Sequence, residues 1–147
     1  MTSTHISIKI RRLVSKHERG VLDTSLIIGI TSVKATQLPT QTSIATITLA
    51  ELAAGTLAAS DPKARGERLE RLQWAQATFE AIPFDTAAAH AYARIYSAAI
   101  TSGRKPRGGR ALDLLIAATA ISRSLPLYTL NPVDFKGVAK LMEIVAL

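Results

Sequence analysis

Apolar and polar positions change places in short blocks along most of this chain. "GVLD" (20–23) sets two branched apolar residues before a carboxylate, the pattern of a short buried strand. "TSLIIGITS" follows as a turn into a short helix. "TSIATIT" (42–48) is rich in β-branched residues and predicts a second strand, with a helical "LAELAAGTLAAS" behind it. Asp61-Pro62 then supplies an N-cap and a proline at the first helical position, opening a helix through about Ala81. In that helix Leu69, Leu72, Trp74 and Phe79 trace part of a buried face, and Glu67 and Arg71, at i,i+4, sit on the wet side.

The second half repeats the alternation. "AIPFD" predicts a strand, and Asp85 caps the helix "TAAAHAYARIYSAAITS". "GRKPRGGR" (103–110) is a loop punctuated by glycine and proline. "ALDLLIAATAISRS" reads as a buried helix, "LPLYT" as a strand, "NPVDF" as a turn and "MEIVA" as a last strand. Strands that alternate with helices need crossover connections, so the expected fold is α/β, with a mostly parallel sheet covered on both faces.

Residues 1–19 break this pattern. Lys9, Arg11, Arg12, Lys16 and Arg19 face a single acid, Glu18, and Ile6, Ile8 and Ile10 alternate as in a short strand. The segment lacks the apolar run of a secretory signal. It reads as a basic extension, a disordered arm or a start placed too far upstream, ahead of one domain at 20–147.

Composition narrows the chemistry. At 147 residues, 48% of them hydrophobic and 20% charged, the chain is ordinary globular material with room for one core. It has no cysteine, which removes disulfides, thiolate zinc sites and cysteine nucleophiles, and suits the cytoplasm. No apolar run approaches the ~20 residues of a spanning helix. Eighteen Lys and Arg against eleven Asp and Glu give a net charge of +7, which favours polyanionic partners such as nucleic acid.

Ligands of parallel α/β sheets bind beyond the carboxyl ends of the strands. Asp23 ends the first strand, Glu51 and Asp113 lie at the starts of predicted helices, and Asn131 follows "LPLYT", with Asp134 behind it. Each has a local explanation. Asp23 caps its helix, Thr48 and Glu51 fit a capping box, Asp113 complements a helix dipole, and Asn131-Pro132 opens a turn. Together they ask for more, because acids gathered at one edge repel unless a cation lies between them. His5, His17 and His90 show no ligand spacing, so hydrated Mg2+, or Mn2+, is the better ion. Beside such an ion, Arg104, Lys105, Arg107 and Arg110 of the basic loop would hold the phosphates of a nucleic acid, and the reaction would be phosphodiester hydrolysis.

"VLDTSLIIG", "ATITLAELAAG", "ALDLLIAATAIS" and "LPLYTLNPVDF", in that order, resemble the blocks of PIN-domain proteins, and most of all the VapC-type toxins of bacterial toxin–antitoxin pairs. The resemblance spans residues 21 to about 136. It implies a three-layer α/β/α domain and a Mg2+-dependent endoribonuclease acting on structured RNA such as tRNA or rRNA. It further implies a cognate antitoxin, a homodimer, and a cytoplasmic home in a bacterium or archaeon. By the same resemblance Asp23 and Asp113 match the metal-binding aspartates, and Glu51 matches the acid of the "T-x-x-E-L" block. Asn131 matches a position that is Asp in some members, and Asp134 would supply the missing carboxylate. Thr24, Ser25 and Thr129 would support the acids through hydroxyl hydrogen bonds.

Two other readings use the same residues: an RNA-processing nuclease outside any toxin pair, and a non-catalytic RNA- or protein-binding module. For an antitoxin, Leu52, Leu57, Leu69, Leu72 and Trp74 form either a docking groove or part of the domain's own core.

Overall fold

The computed structural model describes residues 17–103 and 105–147; the expected Ile6–Ile10 strand, most of the basic extension and Arg104 lie outside them. Five strands form one sheet: β1 (Arg19–Leu22), β2 (Gln41–Ala45), β3 (Glu80–Ile82), β4 (Leu127–Thr129) and β5 (Ile144–Ala146). Their order is β3-β2-β1-β4-β5, and every neighbouring pair is parallel. Chain order therefore reverses between β1 and β4, the kind of switch point where a crevice opens beyond the strand ends.

Alternation in the strands builds two cores. Val21, Ala45 and Leu127 face one side and pack with α4 (Thr86–Thr101) and α5 (Gly109–Ser122), through Ile95, Ala99, Ile116 and Ala117. Leu22, Ile44 and Tyr128 face the other side. There they meet Leu26 and Ile27 of α1 (Thr24–Ile28), Leu52 of α2 (Thr46–Ala58) and Ala75 of α3 (Pro62–Thr78). The result is the expected three-layer α/β/α arrangement. The many alanines of α4 and α5 let those helices lie close to each other and to the sheet.

Several boundaries differ from the sequence reading. The second strand stops at Ala45, and Thr46, Ile47 and Thr48 are helical despite their β-branched side chains. The Asp61-capped helix ends at Thr78, because Glu80–Ile82 pairs with β2 as an edge strand. "NPVDF" is more than a turn, since Pro132–Val138 forms a 3₁₀ helix that buries Phe135 and Val138. In α3 the buried residue is Ala75; Leu72 and Phe79 are partly covered, whereas Leu69 and Trp74 stay exposed, with Trp74 edge-on to Phe79. Leu52 and Leu72 thus belong to the domain's core, and Leu57 remains 82% exposed.

Arg19 is in β1, Gln41 N–H donates to the Glu18 carbonyl at 2.7 Å, and His17 Nε2 lies 2.8 Å from Glu143 Oε1. These contacts lie at the amino ends of the strands, opposite the switch-point crevice. Among the described residues no helix is long and apolar enough to cross a membrane.

Candidate functional site

β1 delivers Asp23 to the carboxyl edge of the sheet, where it ends the strand and caps α1. Its Oδ1 accepts from Leu26 N–H at 2.9 Å and from the Ser25 hydroxyl at 2.7 Å; its Oδ2 accepts from the Thr129 hydroxyl at 2.5 Å. Each hydroxyl is itself held from behind. Ser25 Oγ accepts Leu130 N–H at 3.3 Å, and Thr129 Oγ1 accepts Asn131 N–H at 2.9 Å. This carboxylate, 3% exposed, is thus tied to the ends of both switch-point strands. Burial raises its pKa, and the three donors only partly offset that rise.

Glu51 and Asp113 lose their local explanations. Helix α2 begins at Thr46 with Ala45 as its N-cap, so Thr48 caps nothing and no capping box forms. The Glu51 carboxylate instead accepts from the Thr24 hydroxyl at 2.7 Å, and Thr48 Oγ1 lies 3.1 Å from that same hydroxyl. Burial, with help from Asp23, lifts the Glu51 pKa. Asp113 lies in the second turn of α5, which starts at Gly109, and the first turn holds no acid. Helix-dipole stabilisation fades beyond the first turn.

Asp113 is the most perturbed group of the set. Burial, then the charges of Asp134, Glu51 and Asp23, push its pKa up to about 7, with only Arg110 pulling the other way. Four carboxylates from four segments therefore sense one another: the β1 end, α2, α5 and the 3₁₀ helix after β4. Asp134 is the acid that acts most strongly on Asp113. Asn131 is the exposed N-cap of that 3₁₀ helix, and its side chain caps nothing.

The basic loop splits in two. Arg110 falls inside α5, close enough to lower the Asp113 pKa, whereas Lys105 and Arg107 are exposed on the loop itself. Gly103 (φ 79°) and Gly108 (φ 58°) bracket that loop in the left-handed region, which β-carbon-bearing residues enter at a cost.

Among the described residues, no three Asp, Glu or His side chains stand ready to ring one ion directly. Asp23 and Asp113 are carboxylates of the kind a hydrated Mg2+ takes, one or two at a time with several waters. A small hard cation is also what would relieve the mutual repulsion around Asp113. The donor set is all oxygen, which disfavours the softer thiolate-seeking metals.

Next to the acids a cavity of about 550 Å³ opens between α1, α2 and α3. Thr24 and Glu51 form one end, Ile28 and Gly55 line its walls, and Arg68 and Arg71 of α3 close the far side. Sequence reasoning missed Thr48, Arg68 and Arg71. The signal available for the arginines was their i,i+3 spacing, which puts both on one helix face.

The comparisons agree with this architecture. The family model described as "PIN domain" matches residues 20–141. "Ribonuclease VapC" of Rickettsia bellii is 37% identical over 129 residues, covering 82% of this chain and 91% of that protein. "Ribonuclease VapC5" of Mycobacterium tuberculosis is 40% identical over 113 residues, covering 75% and 81%. Among solved structures, a chain of VapBC-5, a member of the VapBC family of toxin-antitoxin systems from Mycobacterium tuberculosis, superposes with a TM-score of 0.75 at 36% identity. That match covers 88% of this chain and 99% of the other. A family model over most of the chain and relatives at 37% and 40% identity leave one assignment: this chain is a PIN-domain protein of the VapC ribonuclease family.

Proposed function

We propose that this VapC-family ribonuclease is the toxin of a toxin–antitoxin pair and cleaves structured cellular RNA, tRNA or rRNA, as a Mg2+-dependent endonuclease in the cytoplasm. The observation that carries the reading is the convergence of Asp23, Glu51, Asp113 and Asp134 at the β1/β4 switch point, with Asp23 held there by three donors and Glu51 by the Thr24 hydroxyl. A bound divalent cation would offset the charge of such a cluster, as protonation of Asp113 and the Arg110 guanidinium do in part.

Asp23 and Asp113 would hold the ion, with Glu51 and Asp134 completing the negative field around it. When bound, Mg2+ supplies a water of lowered pKa and offsets charge on the scissile phosphate. The rest falls to the chain. Thr129 and Ser25 fix Asp23 in one rotamer, so its position costs little reorganisation when substrate arrives. Thr24 aims Glu51, which would orient an attacking water and take its proton. Asn131, at the mouth of the site, is a neutral donor and acceptor for an orienting contact with the phosphate or water. Arg110 beside Asp113, followed outward by Arg107 and Lys105, would hold flanking phosphates, arginine giving bidentate contact, and the sequence adds Arg104 to the same loop.

An antitoxin must cover this site, and the exposed Leu57, Leu69 and Trp74 on α2 and α3 offer it apolar surface. Exposed Tyr96, Ile100 and Leu112 on α4 and α5 suit a homodimer. The deciding experiment pairs growth with cleavage. Induced wild-type protein should arrest growth and generate new RNA 5′ ends, and Asp23→Ala or Asp113→Ala should abolish both. An Asp113→Ala protein that still cleaved tRNA or rRNA at the wild-type rate would remove the assignment.

A further inference from the structure

The cavity between α1, α2 and α3 is unused by the chemistry above, although it shares Thr24 and Glu51 with the acidic site. Its far wall is the α3 stripe of Ala64, Glu67, Arg68 and Arg71, so the Glu67–Arg71 face that reads as simply wet in the sequence turns onto a concave surface. The two arginines are not equivalent. Arg68 Nη1 donates to the Gly55 carbonyl at 2.7 Å, and Arg65 Nη2 to the Ala59 carbonyl at 3.0 Å. Both thereby satisfy carbonyls left over at the carboxyl end of α2. Arg71, half-buried on the same wall, forms neither a hydrogen bond nor an ion pair among the described residues.

A partly covered guanidinium without a partner keeps its full fork of donors and has lost part of its hydration. That is the state in which it gains most from a bidentate oxyanion. Arg68, anchored by one N–H, keeps its remaining donors in a fixed place beside it. The cavity also has apolar surface for a base, with Ile28 53% exposed at its rim and Leu52 in its lining. Gly55 leaves the wall open, since nothing lies within 4 Å of where its Cβ would be.

We propose that this cavity binds a nucleotide next to the scissile position of the RNA, with Arg71 and Arg68 on its phosphate and Ile28 against its base. The proposal rests on the ribonuclease reading for the direction in which the strand leaves the acids. RNA would then cross the site between two cationic shoulders, Arg110 of α5 on one side and Arg71 of α3 on the other. Volume fits as well, about 550 Å³ lying within the range of cavities that hold small ligands.

The test is binding of labelled bulk tRNA in EDTA, followed by fluorescence anisotropy across a salt series, so that it does not depend on cleavage. Arg71→Ala should weaken binding about tenfold and lower the slope of log affinity against log salt by about one. Arg71→Lys should restore the slope and only part of the affinity. Arg94→Ala, at the other end of the sheet, should change neither. Because Arg71 has no partner to lose, melting temperature should match wild type, which separates this variant from Arg68→Ala. An unchanged affinity and slope for Arg71→Ala overturns the proposal, and so does a variant that binds tRNA normally but no longer retains a small co-purified antitoxin. A wild-type protein that binds tRNA through Arg71 yet does not cut it in Mg2+ would sink tRNA as the substrate and leave the cavity standing as an RNA-binding site.

Discussion

Asp23 and Asp113 stand at the same sheet edge and are held in opposite ways. Asp23 sits in a finished socket, with two oxygens, three donors, and each donor hydroxyl backed by a main-chain N–H. Asp113 has acids as its strongest neighbours, and Arg110 alone compensates. The socket fixes a position; the crowded carboxyl stores unfavourable charge. A site with only sockets would have little use for an ion, and one with only crowded acids would have no fixed geometry. The pairing of the two is what lets a cation bind strongly at a defined place.

The largest way to break the contrast is to remove the charge at Asp113. Burial and the neighbouring acids push the pKa of its carboxyl up to about 7, from 3.8 for the free side chain. A raised folded pKa means that the native state binds the proton more tightly, so this group's contribution is fully present below about pH 4 and is lost as pH climbs through 7. Metal-free Asp113→Asn should therefore melt close to wild type at pH 4 and a few degrees above it at pH 8. Adding Mg2+ should reverse the order at pH 8, raising the wild-type melting temperature and leaving Asp113→Asn unmoved. A wild-type protein whose melting temperature ignores millimolar Mg2+ would remove the cation from the account.

What the sequence made legible follows the same division. The strand-and-helix alternation carries the three-layer fold because buried parallel strands need apolar runs and crossover helices. Asp23 as a cap was readable from "LDTS" alone. The misread ends are where context overrides a preference of tenths of a kcal/mol. Thr46-Ile47-Thr48 looks like strand, yet turning into a helix there places Glu51 over Thr24 and buries Thr48. Leu69 and Trp74 look like core, yet both stay exposed and Ala75 is the residue that α3 buries. The pull of Asp134 on Asp113 depends on how the 3₁₀ helix after β4 folds back, and residue spacing carries no trace of that. Arg71 was visible only as a charge, because its cavity exists only once α1, α2 and α3 are assembled.

A smaller break strikes the socket itself. Thr129→Val keeps the shape of a fully buried side chain and deletes the donor to Asp23 Oδ2 and the acceptor for Asn131 N–H. The cost should be about 1–3 kcal/mol in urea unfolding. Mg2+ affinity should fall about 10–100-fold by calorimetry, as when the group supporting a metal ligand is lost. Ser25→Ala should be milder on both counts, about 1 kcal/mol, since Asp23 Oδ1 keeps the Leu26 N–H. If Ser25→Ala proved worse than Thr129→Val, the socket would hang on α1 rather than on β4.

The finest test asks whether Thr24 serves the fold or the reaction. Its hydroxyl joins Glu51 across α1 and α2, but both residues are only partly buried, so water can replace the lost bond. Thr24→Val should cost under about 1 kcal/mol of stability and leave the Mg2+-induced rise in melting temperature intact. If Glu51 must be aimed at a water, RNA cleavage at saturating substrate should nevertheless fall, by roughly tenfold, with the KM for tRNA unchanged. Thr24→Ser, which restores the hydroxyl, should recover most of that rate. A Thr24→Val protein with unaltered turnover would mean that Glu51 contributes charge to the site and nothing that depends on its direction. The distinction between socket and crowded acid would then apply to Asp23 and Asp113 alone.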